Sequence, residues 1–278
     1  VCVSRAGSPT RPPLGSRKLG ASRRFLERTW RLAAPFVTVL ILLGLWQWAA
    51  QTMSPGVLPP LWDTLKAMQT GMSDGQLWRD SLITLSNVLI SFVLAVVGGL
   101  LIGLAAFRLR LLADLLHPLM VTVESAPTIA WLVLAILWLG LGQGPSILVG
   151  VSMALPLIFI ATLHALQQID NDLLDMARVY HLGARKRMQK IILPSLALTL
   201  AGAASGTLSV AWRGVIMAEA FSSSSGLGPY LWGSYLYGEI TQVYASILWI
   251  VLLGLVIEYA LIHPVRLWIL SRLHHART

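Results

Sequence analysis

Three ionisable residues sit where an apolar chain tolerates them least. Arg213 and Glu219 fall inside the apolar run Ser195–Ala220, and Glu124 lies near the start of the run Leu119–Leu141. An arginine near the centre of a hydrocarbon layer costs about 2.5–3.5 kcal/mol on insertion scales, so it must face protein or water. Arg213 therefore has two readings. Either it lines a pathway and attracts an anionic solute, or it is structural, paired with Glu124, Glu258 or another helix or snorkelling to an interface. Glu219, six residues on, stands nearly on the opposite helical face, so an intrahelical pair with Arg213 is poor. Glu124, Arg213 and Glu219 are the candidate pathway residues.

Other chemistry finds no constellation. The chain has no G-x-x-x-x-G-K-[ST] phosphate loop and no Gly-Lys pair, so no bound ATP is expected on it. No Cys/His cluster has metal-ligand spacing, and His274–His275 reads as a solvated pair in a tail. Ser222–Ser225 reads as a flexible loop, not as a nucleophile. No catalytic residue, metal or cofactor is expected on this chain.

The most informative polar segment is 170–194, DNDLLDMARVYHLGARKRMQKIILP. It is too long for a simple turn and too polar to span a membrane. Asp170, Asn171 or Asp172 suits a helix N-terminus. Leu173, Leu174, Ala177 and Tyr180–His181 recur near helical spacing, and Gly183 is a natural stop. A second helical stretch follows, with Arg185, Lys186, Arg187 and Lys190 outward and Met188, Ile191 and Ile192 inward, until Pro194 breaks it. Such a helix–turn–helix is either a docking device for a partner or a membrane-surface connector.

The elements that must position these residues are membrane helices. Hydrophobic residues make up 56% of the 278 and charged residues 12%, against roughly 45–50% and 25% in soluble domains. Six stretches are long enough to cross a bilayer: Leu32–Ala50, Leu82–Phe107, Leu119–Leu141 (interrupted at Pro127), Ser146–Leu166 (with Pro156 inside), Ser195–Ala220 and Val243–Ile262. The fold class is all-α, a polytopic membrane protein.

The formal charge of +9 first raises nucleic acid as a partner, but the charges are too few and too far apart for that surface. Placed on the spans they give a topology. Eighteen of the 21 Lys and Arg fall in residues 1–31, 108–118, 167–194 and the C-terminal tail, which puts both termini in the cytoplasm. The expected organisation is a basic tail 1–31, a membrane domain 32–265 and a basic tail 266–278. The long charged region before a full-length span argues against a cleaved signal peptide. The basic tail suits anionic membrane lipid. Cys2 is the only cysteine, so no internal disulfide forms. On the non-cytoplasmic side, Gly142–Pro145 reads as a tight turn. Leu61, Leu65 and Met68 share a face of a short amphipathic stretch, and Trp232, Tyr235 and Tyr237 suit an interfacial segment. Gly99/Gly103 and Gly202/Gly206 form small-x-x-x-small pairs that let helices approach closely.

Segment 170–194 resembles the coupling segment, the EAA loop, of binding-protein-dependent ABC importer permeases. Asp175, Met176 and Ala177 stand at its Glu-Ala-Ala positions and Leu193–Pro194 at its closing Leu-Pro. His181 stands where the family has Gly, with Gly183 two residues on. Leu58–Met68, Ser125–Gly142 and Ala211–Gly228 are similar to blocks of the nitrate/taurine/sulfonate subfamily, so the resemblance covers roughly residues 32–270. It implies a type I importer fold in a bacterial inner membrane and import of a small nutrient by alternating access. It also implies cytoplasmic ABC ATPase subunits holding ATP and Mg, an extracytoplasmic substrate-binding protein and a second copy of this permease. Asp175, Met176, Ala177, Arg178, Tyr180, His181, Leu182 and Gly183 would carry or shape the contact with the ATPase. The alternative class is a self-sufficient secondary transporter or channel. Such carriers often show internal repeats, and none is clear between 32–141 and 146–262.

Overall fold

The computed structural model describes residues 34, 37–54, 56–169, 171–262 and 264. The expected basic tails, Cys2, Asp170 and His274–His275 lie outside the described residues. The chain forms two compact units, Val1–Trp62 and Asp63–Thr278. Every element among the described residues is helical.

The first unit contains α1 (Val37–Thr52). The Pro-rich segment after it folds back along the helix. Trp46 Nε1 donates to Pro59 O at 3.0 Å, and Leu61 N–H donates to Gln47 Oε1 at 3.2 Å. The start of the expected first span lies partly outside the described residues. What is described of it is this 16-residue apolar helix.

α2 (Leu61–Ser73) runs on into the second unit, which holds α3 (Gln76–Arg108), α4 (Arg110–Ser125), α5 (Thr128–Leu139), α6 (Gln143–Gln167), α7 (Asn171–Val179), α8 (Ala184–Arg187), α9 (Leu193–Ser222), α10 (Leu227–Leu236) and α11 (Ile240–Ile257). Three of these helices are long and apolar enough to cross a membrane. The number is five if each of two bent pairs counts as one span.

α6 is the centre of the second unit, packed along α3 and α9. Glycines make the first contact close. A Cβ at Gly99 would come within 2.8 Å of Ile158, and one at Gly103 within 2.7 Å of Thr162. The Gly99/Gly103 pair is thus a packing device, as expected. The Gly202/Gly206 pair is not one among the described residues, because a Cβ at either position meets nothing there.

The structure redraws three boundaries. The third apolar run is interrupted at Pro127 as expected but starts well before Leu119: the segments 111–125 and 128–139 meet at 99°. Pro127 forces this, because its ring excludes helical geometry at the residue before it, and Ala126 is extended at φ −68°, ψ 135°. The turn expected at Gly142–Pro145 is shifted. Gly140 (φ 73°) and Gly142 (φ 138°) make it, and α6 already begins at Gln143. Pro194 does not break the chain. Its missing N–H is accommodated by a π turn, Met188–Ile192, in which Leu193 N–H reaches back to Met188 O, and the helix continues into α9. The bend of 44° falls between 197 and 199 instead.

Candidate functional site

The segment at one end of the bundle folds as two short helices around a left-handed residue. α7 ends in a Schellman arrangement. Tyr180 N–H donates to Met176 O at 3.0 Å and Leu182 N–H to Ala177 O at 2.9 Å. The residue that must be left-handed there is His181, with φ 50°, the one non-glycine with positive φ among the described residues. The stop is therefore His181 and not Gly183. Gly183 instead opens α8, its carbonyl accepting from Arg187 N–H at 3.1 Å. Histidine at the family's glycine position keeps the turn, at the steric cost of a Cβ in that region.

Burial divides the residues of this segment. Ala177 is buried, whereas Asp175, Met176, Tyr180, His181 and Gly183 are exposed and Leu182 is half-buried. Val179 and Tyr180 are each 74% exposed. Arg178 precedes them on α7. Ile191 and Ile192 anchor the second arm against Ala165, Leu166, Ile169 and Leu196. Arg185, Lys186 and Lys190 face outward. The segment is thus fixed to the ends of α6 and α9 and presents an apolar ridge flanked by charge.

At the opposite end lies a buried polar network that the sequence reading missed. Glu219 is fully buried. Thr84 Oγ1 accepts from Leu227 N–H at 2.9 Å and so donates its own proton to Glu219 Oε2 at 2.6 Å. Asn87 Nδ2 donates to Glu219 Oε1 at 2.7 Å and to Gln143 Oε1 at 2.5 Å. Gln143 Nε2 then donates to the hydroxyls of Ser223 (2.8 Å) and Ser225 (2.9 Å). Asp80 Oδ1 accepts from Gly226 N–H at 3.2 Å. Ser222–Ser225, expected to be a flexible loop, is tied down at several points. Two glycines permit the approach. A Cβ at Gly226 (φ 116°) would sit 2.7 Å from Glu219 Oε2, and one at Gly228 would sit 2.5 Å from backbone atoms of α9. Beyond the spans, Tyr230 donates to Gln242 Oε1 at 3.2 Å. Burial pushes its phenol above the ordinary value, with Glu239, Asp80 and Asp74 adding, so it stays a neutral donor.

The three candidate pathway residues are not brought together as one cluster. Glu219 belongs to the network above. Glu124 is exposed at the end of α4. Arg213 is exposed on α9, and its Nε donates to Ser209 O at 3.1 Å. Among the described residues no group of three His, Cys, Asp or Glu could hold a metal.

The sequence profile of a family described as "Binding-protein-dependent transport system inner membrane component" matches residues 95–266. A probable ABC transporter permease protein of Brucella melitensis is 30% identical over 220 residues, 78% of this chain and 88% of that protein. A putative aliphatic sulfonates transport permease protein of Escherichia coli is 28% identical, covering 87% and 93%. A nitrate import permease protein of Leptolyngbya laminosa is 24% identical, covering 87% and 89%. Among solved structures, an inward-facing form of the MetNI methionine ABC transporter superposes with a TM-score of 0.58. Its identity is 24%, over 70% of this chain and 96% of that one. That likeness concerns the fold.

Proposed function

The chain belongs to the family of binding-protein-dependent ABC importer permeases, multi-pass proteins of the inner membrane, and on that premise we propose that it moves a small anionic nutrient into the cytoplasm by alternating access. The solute class is that of nitrate, sulfonates, taurine and their relatives, in keeping with the relatives named for nitrate and for aliphatic sulfonates. The chain is the pore-forming subunit. ATP is hydrolysed on separate cytoplasmic subunits, a binding protein delivers the solute from outside, and a second copy of the permease completes the pathway. Both termini and the segment 170–194 face the cytoplasm, in line with the clustered basic residues.

The observation that carries the coupling role is the unpartnered ridge of Val179 and Tyr180 on a segment whose base is anchored to α6 and α9. An exposed tyrosine on a rigid helix end is the kind of anchor that dominates a protein interface. Asp175, Met176, Arg178, His181, Leu182 and Gly183 shape the surroundings of that anchor, and buried Ala177 holds α7 in place. In the reconstituted complex, Tyr180→Ala should lower affinity for the ATPase by about 2 kcal/mol, roughly 30-fold, and cut uptake with it. Unchanged ATPase copurification and uptake would remove α7 from the coupling contact. The solute is read by titrating the partner binding protein with nitrate, taurine and an alkanesulfonate. Binding of none of these nitrate or sulfonate compounds, alongside tight binding of a compound with no anionic group, would sink the anionic assignment.

A further inference from the structure

We infer that Arg213 is the specificity-determining cation of the solute pathway, drawing small anions to the open face of α9. The inference rests on the importer reading above for what the pathway carries. The placement of Arg213 rests on the structure alone.

The residues of α9 that the chain leaves open after Leu198 are Gly202, Gly206, Ser209, Arg213, Met217 and Phe221. Their spacing of three or four puts them on one stripe. The open faces of the other long helices differ. On α3 they are chiefly Leu82, Ser86, Leu89, Val93, Val97 and Leu101, and on α11 Ile247, Val251, Leu255 and Val256. Those surfaces suit lipid. A face carrying two glycines and a guanidinium does not.

The structural readings of Arg213 lose their support within this chain. Among the described residues no carboxylate pairs with it. Glu219 is committed to Thr84 and Asn87. Glu258 shares with Arg213 a cavity of about 400 Å³ between α9 and α11, walled by Trp212, Gly254 and Leu255, without an ion pair between them. The side chain does not snorkel to the near end of its helix. Ser222 lies nine residues on, about 14 Å away at the helical rise. The guanidinium instead turns back one turn to the carbonyl of Ser209, away from that end. It is a fixed positive charge within the span, beside a mostly apolar cavity. A cation that makes no ion pair among the described residues, in so weakly screened a place, attracts an anion over a longer reach than it would in water. The missing side chains at Gly202 and Gly206 leave open space along the same stripe toward the opposite end of α9.

The test uses the single cysteine of the chain. In a Cys2→Ser background, the full complex in membrane vesicles carries one new cysteine at a time: Ser209→Cys or Met217→Cys on the stripe, Val93→Cys or Leu101→Cys on α3. Each is labelled with the anionic sulfonatoethyl and the cationic trimethylammonioethyl methanethiosulfonates. The stripe positions should react at least about ten-fold faster than the α3 positions. At position 209 the anionic-to-cationic rate ratio should fall about ten-fold on Arg213→Gln and recover on Arg213→Lys. Stripe positions no faster than those on α3 would mean that the face meets lipid, and a ratio indifferent to Arg213→Gln would mean that the guanidinium attracts no anion. Either result overturns the inference. Copurification of the ATPase from the same vesicles reports separately on the importer reading, so the two can fail independently.

Discussion

His181 and Glu219 are single residues on which the two ends of the bundle depend. His181 holds a left-handed backbone that glycine adopts without steric cost. His181→Gly should therefore keep the turn and stabilise the segment by up to about 1 kcal/mol, tempered by the greater freedom of glycine in the unfolded chain. His181→Val should cost about 1–2 kcal/mol, because a β-branched side chain fits that region worst. Hydrogen exchange of residues 171–187 in the assembled complex reads both. Equal protection in the two variants would mean that the Leu182–Ala177 bond, not the backbone at 181, sets the turn. Glu219 accepts from Thr84 Oγ1 and from Asn87 Nδ2, whose amide also donates to Gln143. Glu219→Ala strands Thr84 and part of Asn87, at about 1–3 kcal/mol for each unsatisfied group. The melting temperature of the purified complex should fall by several degrees, and the loop Ser222–Gly226 should become open to protease. An unchanged melt would show that packing of α10 alone holds the loop.

At the scale of elements, glycine spacing separates two kinds of helix face. Gly103→Val pushes a branched side chain into Thr162, already within 2.7 Å of a bare Cβ. Overpacking of this kind typically costs about 1–3 kcal/mol, and the yield of folded permease should drop. Gly206→Ala meets nothing and removes a helix-weakening glycine, so the folded yield should hold or rise. If both variants express alike, α3 and α6 do not depend on the close approach. The helices themselves were legible in the sequence, because length and apolar run decide them. So were the two arms of the segment 170–194, described from Asn171 on, because capping residues, periodicity and basic residues agree there. The buried network was not. Its signal was present in the spacing of Asp80, Thr84, Asn87 and Ser91, a polar stripe of helical period inside an apolar helix, but the partner Gln143 is set by where α6 begins. That start depends on the glycine conformations at 140 and 142, which composition does not reveal. The passage through Pro194 was hidden for a similar reason. A proline ends a helix only when the lost hydrogen bond has no substitute, and here a π turn supplies one.

On the proposed coupling role, that helical passage would let the second unit act as a lever. From Ala184 to Ser222 the chain stays helical, with one π turn and one 44° bend. Its base is clamped to the end of α6 through Ile191, Ile192 and Leu196. Its far end carries Glu219, tied to α3 through Thr84 and Asn87. Arg213 lies between. In that role, a displacement of the ridge on α7 would pass through the turn at 180–183 into one rod and along it to the Arg213 stripe and the far loop. Interiors packed at crystal-like density transmit strain in this way. Continuity, rather than the π turn itself, is then what coupling needs. Pro194→Ala restores a backbone N–H and lets the wide turn relax while keeping the rod, so uptake driven by ATP should stay within about two-fold of the parent. Two glycines inserted between Ile192 and Leu193 add about 1 kcal/mol of helix-breaking tendency each and turn the base of the rod by about 200°, since each residue advances a helix by a little over a quarter turn. Uptake should fall more than about ten-fold while ATP hydrolysis by the assembled complex persists. Full uptake in the insertion variant would mean that the signal travels through α6 instead, and a loss in Pro194→Ala equal to that of the insertion would mean that the π turn is itself the moving part.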